Sequence, residues 1–116
     1  METLTLNAWG FDHKISFHLA TYATTGNLYV GLVCHDEEEP EPWSDLTVNL
    51  DETLEPNRSY IDTNNNGNEI MNWLIVNNLG KYTYGMGFSG FCTYPEFEFN
   101  IDELMKYVSC DDREVK

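Results

Sequence analysis

The sequence predicts an α+β domain, an antiparallel sheet of four to six strands with two short helices packed on one face. Three observations predict it. Apolar and polar side chains alternate in several segments before residue 50, the period of half-buried strands. Two later stretches switch to helical spacing behind capping residues. Finally, 116 residues, 41% of them hydrophobic, with three Trp, seven Tyr and six Phe, suffice for one core and are too few for a two-domain enzyme with a cleft between its halves. The whole chain, residues 1–116, is therefore read as a single domain.

The first strand covers residues 3–8, with Leu4, Leu6 and Ala8 on one face and Thr3, Thr5 and Asn7 on the other. A turn at residues 9–12, with Gly10 free to take a positive φ, leads to residues 14–20, where Ile15, Phe17 and Leu19 alternate with Lys14, Ser16 and His18. These two segments form a predicted hairpin. A third strand at residues 28–35 places Leu28, Val30, Leu32 and Cys34 opposite Tyr29, Gly31, Val33 and His35. DEEEPEP at residues 36–42 reads as a turn, because two prolines among carboxylates suit neither a ladder nor a helix interior. LTVNL at residues 46–50 returns as a fourth strand, and residues 59–62 extend briefly. Asn66 and Glu69 have capping-box spacing ahead of Ile70, Trp73, Leu74 and Asn77, predicting a helix that Gly80 ends. YTYGMGFSGFCTY at residues 82–94 suggests strand pieces with bulges or tight bends, and residues 96–100 alternate Phe97 and Phe99 with carboxylates. Asn100 and Glu103 repeat the capping spacing before Ile101, Leu104, Met105 and Val108, a last helix, and residues 109–116 are expected to fray.

Twenty acidic and six basic residues give a net charge of −14, yet only 22% of residues are charged. A typical composition would supply roughly fourteen of each sign at this length, so the deficit of bases exceeds the surplus of acids. Phosphate contacts are made chiefly by Lys and Arg, so neither direct nucleic-acid binding nor an anionic membrane surface is expected as a partner. The first residues have no basic stretch followed by an apolar run, which predicts no signal peptide. Three cysteines, Cys34, Cys92 and Cys110, cannot all pair within one chain and form no CxxC, so a reducing cytoplasm is the expected compartment.

Motifs for chemistry are few. DTNNNG at residues 62–67 matches the first half of a calcium loop, but position twelve is Trp73 and position eight is Glu69, so a polar turn into a helix is the expected reading. His35 follows Cys34, so their side chains leave a strand on opposite faces and cannot share one ion; with His13 in a turn and His18 on a polar face, no metal site and no cofactor are expected. Cys92 has no adjacent base to activate it and reads as a small core residue. GMGFSG at residues 85–90 lacks the Lys-Ser/Thr of a phosphate loop. No catalytic residue is assigned, and the protein is not expected to be an enzyme.

The acids themselves are unevenly placed. Nine of the twenty residues from 36 to 55 are acidic and none is basic: Asp36, Glu37, Glu38, Glu39, Glu41, Asp45, Asp51, Glu52 and Glu55. The other 96 residues hold eleven acids and all six bases, a net of −5. Fourteen charges correspond to about 24 Å of duplex DNA, so the charge density is DNA-like in magnitude. These nine residues are the candidate binding surface for a protein partner with a basic groove. The alternative is an adaptor that binds through the aromatic segment 82–94, with the acidity serving solubility alone. The oligomeric state is left open.

LTVNL at 46–50, YIDTNNNGNEI at 60–70 and GFSGFCTYPEFEFNIDEL at 87–104 together resemble small acidic domain-of-unknown-function proteins found on mobile elements of gut bacteria, a group associated with type II-A anti-CRISPR proteins. The likeness covers roughly the C-terminal two thirds, and the segment around Cys92, Thr93, Tyr94 and Pro95 is its most specific part. The turn before LTVNL is longer and more acidic here than is usual in that group. The resemblance implies a phage or mobile-element accessory protein, in the cytoplasm of a bacterial host, that inhibits a Cas9-type nuclease by binding it.

Overall fold

The computed structural model describes residues 2–113. Among the described residues, nine strands and three short α-helices make an α+β fold dominated by strands, and the strands divide between two sheets. β1 (Leu4–Ala8) and β2 (Phe11–Thr21) form the predicted hairpin, with Ala8 opposite Phe11. The two turn residues, Trp9 at φ 53° and Gly10 at φ 81°, are both left-handed, the type I′ geometry that matches strand twist. β3 (Leu28–Cys34) pairs along β2 in register Ile15↔Cys34 to Thr21↔Leu28.

The fourth strand departs from expectation. β4 (Glu41–Asp45) starts inside the acidic run, so the turn is shorter than residues 36–42. Pro42 is accommodated because β4 is an edge strand and needs no donor on its open side. Leu46, fully buried, donates its N–H to Val30 O and accepts from Asp62 N at its carbonyl, which passes the chain from one sheet to the other. Only Thr47 and Val48 of LTVNL form a strand, β5 (Thr47–Val48), paired with β6 (Arg58–Ile61).

Asp62 caps a short helix ahead of the expected one, and Asn66 caps neither. The Asp62 carboxylate accepts from Asn65 N at 3.1 Å and Asn65 Nδ2 at 2.7 Å, holding α1 (Thr63–Asn66). Asn66 is drawn away from the expected capping box because its amide bridges Ser44, Asp45 O and Asp62 O. α2 (Glu69–Val76) therefore starts at Asn68 without a side-chain cap. It ends one turn before Gly80, in a Schellman motif: Asn78, at φ 60°, donates to Ile75 O, and Leu79 donates to Leu74 O. Gly80 has a different task. A Cβ there would lie 2.0 Å from Glu98 O, so only glycine lets β7 (Gly80–Ser89) approach β8 (Cys92–Phe99).

β7 and β8 confirm the reading of bulges and a tight bend. Tyr82 pairs Phe97 and Met86 pairs Pro95, so three residues of β7 face one of β8, and Tyr84 in the bulge takes φ 69°. Ser89 pairs Cys92 across a two-residue turn with Gly90 at φ 59°, the first-position glycine of a type II′ hairpin.

Asn100 caps α3 (Ile101–Leu104) as expected, accepting from Glu103 N. The expected continuation through Val108 stops in a single 3-10 turn at Met105–Tyr107. Val108–Asp111 then form β9, parallel to β2, instead of joining a frayed tail. The reason lies in β2: β1 covers only residues 11–15 of that edge, and β9 satisfies the backbone groups of residues 17–19. Residues 114–116 of the expected tail lie outside the described residues.

One core serves both sheets. Ile15, Phe17, Leu19, Val30 and Leu32 of the five-stranded sheet meet Ile61, Phe97 and Phe99 of the four-stranded sheet, with Ile70 and Leu74 from α2 and Leu104 from α3. Among the described residues, no helix is long and apolar enough to cross a membrane.

Candidate functional site

The nine acids that are contiguous in sequence do not converge in space. Asp36, Glu37, Glu38, Glu39 and Glu41 sit at the Cys34 end of β3. Asp51, Glu52 and Glu55 belong to a loop tied to the opposite end, where Asn27 Nδ2 donates to Glu52 O, Thr53 Oγ1 donates to Thr25 O and Leu54 N donates to Asn27 Oδ1. The length of β3 between them is about 20 Å. Three of the nine carboxylates are already engaged. Asp36 accepts from Lys14 N at 2.9 Å and lies 2.5 Å from His13 Nδ1; these two contacts hold its pKa below the usual carboxylate range. Asp45 accepts from Tyr29 Oη at 2.6 Å and Glu52 from Tyr60 Oη at 2.9 Å. Burial, then the Glu52 carboxylate, pushes the Tyr60 phenol up to about 12.

The aromatic segment behaves differently. Tyr84 is 84% exposed, Phe88 71%, and Phe91 at the turn projects fully into solvent; Met86 is partly exposed beside them. The cause is the other face of β7. Gly87 lies directly over Leu50 and Tyr60, where an added Cβ would come within 2.5 Å of Leu50 Cδ1. Alternation then sends Met86 and Phe88 outward. Tyr82 steadies the row, donating its hydroxyl to Met86 Sδ at 3.0 Å and lying 4.8 Å from the Tyr84 ring. Leu50 meets this inner face at Gly87, and Glu52 binds the Tyr60 hydroxyl beside it, whereas Arg58 is neutralised by Glu96 and Glu98 at 3.1 Å each.

A second apolar region is an open cleft of about 1100 Å³ bordered by Trp9, Trp43, Trp73 and Val76. Trp43 lies 5.5 Å from Trp9 and 4.5 Å from the His13 ring, and Trp73 Nε1 donates to Thr5 O at 2.8 Å.

The polar side chains with chemical potential are placed as follows. Ser16 Oγ is 2.6 Å from His35 Nε2 and from Ser109 Oγ, but Ser16 is completely buried, which keeps substrate from its hydroxyl. Asp62 spends its carboxylate on the α1 cap, as a polar turn would. Cys34 and His35 diverge as expected. Sequence reasoning missed the partner that Cys34 does find: His13, Cys34 and Asp36 lie together, with all ligand-type atoms within 4.8 Å of one another, and His18, Cys110 and Asp112 form a second such group. The signal was present in the register, since pairing Ile15 with Cys34 sets His13 opposite Asp36.

Fold and surface together define a small two-sheet α+β domain whose β7–β8 hairpin carries exposed aromatic side chains. A model of the Domain of unknown function DUF4313 matches residues 16–115, and the chain belongs to that family. No curated protein and no solved structure matches it.

Proposed function

We propose that this domain is a non-enzymatic binding module that docks the β7–β8 hairpin into an apolar, basic-rimmed pocket of a partner protein. The observation that carries this reading is the outward row of Tyr84, Phe88 and Phe91. Three such rings offer on the order of 500 Å² of apolar surface, roughly 12 kcal/mol of gross burial at 25 cal/mol per Å². Association costs about 4–15 kcal/mol, so the rings alone give marginal affinity and the net charge of −14 must contribute orientation and on-rate. A Cas9-type nuclease is the partner favoured by the resemblance to mobile-element anti-CRISPR proteins, because its nucleic-acid channel is positively charged.

A second reading places the contact on the turn before β4, as an acidic DNA mimic. It is favoured by one observation: the carboxylates of Glu37, Glu38, Glu39 and Glu41 are exposed and have no ion-pair partner among the described residues.

Calorimetric titration against a Cas9-type nuclease, with and without guide RNA, separates the two. With Phe88→Ala and Phe91→Ala combined, binding weakens by about 30-fold or more, the loss of a hot spot worth ~2 kcal/mol. If that variant binds like the wild type while exchange of Glu37, Glu38, Glu39 and Glu41 for Lys abolishes a steeply salt-dependent affinity, the hairpin reading is overturned in favour of the acidic turn.

A further inference from the structure

We propose that His13, Cys34 and Asp36 form a binding site for one zinc ion or a similar thiolate-accepting divalent transition-metal ion. The donors come from two paired strands and the residues just beyond them. Cys34 and Asp36 are two apart, so an extended chain directs both to one face, and the β2–β3 register brings His13 to the same place. Imidazole, thiolate and carboxylate are the three ligand types zinc accepts, with bonds of about 2.0–2.3 Å. Around a tetrahedral ion such donors stand roughly 3.2–3.6 Å apart. The donor atoms already lie within 4.8 Å of one another, and the 2.5 Å approach of His13 Nδ1 to Asp36 Oδ2 needs to open by under about 1 Å to admit the ion.

Each ligand is also oriented from behind. His13 Nε2 faces Ala8 O at 3.3 Å, which leaves Nδ1 as the coordinating nitrogen. Lys14 N–H holds Asp36 Oδ1, which leaves Oδ2 for the ion. Such outer contacts are what fix ligands at metal sites. Cys34 packs against the core and Trp43 lies over the His13 ring, so one side is closed, while exposed Asp36 leaves a fourth position open to water. Burial and the neighbouring carboxylates push the free Cys34 thiol up; on binding, the sulfur gives its proton to buffer and bonds the ion as thiolate. Glu37, Glu38, Glu39 and Glu41 add negative potential around the entrance.

The group His18, Cys110 and Asp112 repeats these ligand types on β2, β9 and the residue just after β9, but Cys110 is exposed and the Asp112 side chain is 63% exposed. It serves as an internal comparison. The test is titration of the full chain, under reducing conditions, with Co²⁺ as the spectroscopic probe and Zn²⁺ by calorimetry. Expected are one tight equivalent and a thiolate-to-cobalt charge-transfer band, both lost in Cys34→Ser and retained in Cys110→Ser. Asp36→Asn, which keeps an acceptor for Lys14 N–H, weakens Zn²⁺ binding at least about 10-fold and reduces the rise in Tm that Zn²⁺ gives the wild type. Absence of the band, or its loss in Cys110→Ser but not in Cys34→Ser, overturns the assignment.

Discussion

Replacing Gly87 by Ala tests how the exposed hairpin is seated. The new methyl would lie 2.5 Å from Leu50 Cδ1 and 2.7 Å from Tyr60 Cε1, where carbon atoms normally stand at about 3.5–4.0 Å. Something must move by about 1 Å. Leu50 can rotate, but the Tyr60 ring is buried and its hydroxyl is bound to Glu52, so part of the shift falls on the hairpin itself. Overpacking of this kind costs about 1–3 kcal/mol. For a domain of this size each kcal/mol lowers Tm by roughly 4 °C, so thermal unfolding followed by circular dichroism is expected to show a fall of about 4–12 °C. Leu50→Ala opens the space, and a double-mutant cycle is expected to return a coupling of at least about 0.5 kcal/mol, with the pair less destabilised than the sum of the single changes. An unchanged Tm in Gly87→Ala, or strict additivity with Leu50→Ala, would refute the claim that Gly87 is kept free of a side chain by this contact.

Two further outcomes concern stability. The Arg58 guanidinium holds the Glu98 carboxyl below its ordinary value of 4.5, so the pair's contribution is complete above that pH and is lost as pH falls through the lowered value. The stability gap between wild type and Arg58→Gln in urea denaturation is therefore expected to shrink between pH 5 and roughly pH 3; a gap that widens on acidification contradicts the sign. Deleting residues 108–116 removes β9 and is expected to lower Tm by several degrees and to speed amide exchange at residues 17–19 of β2. A frayed segment would leave both unchanged.

Much of the first sheet was legible because its strands bury one face: Ile15, Phe17 and Leu19, and then Val30 and Leu32, alternate in sequence and enter one core. The bulged, tightly turned course of residues 82–94 was legible from its glycines, and the cap at Asn100 from its spacing. What escaped was decided by partners distant in sequence. Asn66 has the right spacing for a cap, yet its amide is claimed by Ser44 and Asp45. Gly80 looks like a helix terminator, but Asn78 supplies the left-handed residue, and Gly80 is required by the carbonyl of Glu98. Val108 has helical spacing from Leu104, but the unpaired edge of β2 draws it into a ladder. The acidic run misleads in the same way, since a compact stretch of sequence is carried to both ends of β3. His13, Cys34 and Asp36 were readable only through strand register, which single-residue patterns do not contain.

The parallel pairing of β9 with β2 also sets a timetable for synthesis. Ser16 and its partner Ser109 are 93 residues apart. At a translation rate of roughly 5–20 residues per second, half of one edge of β2 stays without its ladder for about 5–20 s after it leaves the ribosome. During that interval β1 can already shield residues 11–15, but the backbone of residues 17–19 is open to any strand that passes. Until β9 arrives, that one short stretch is an open edge of the nascent sheet.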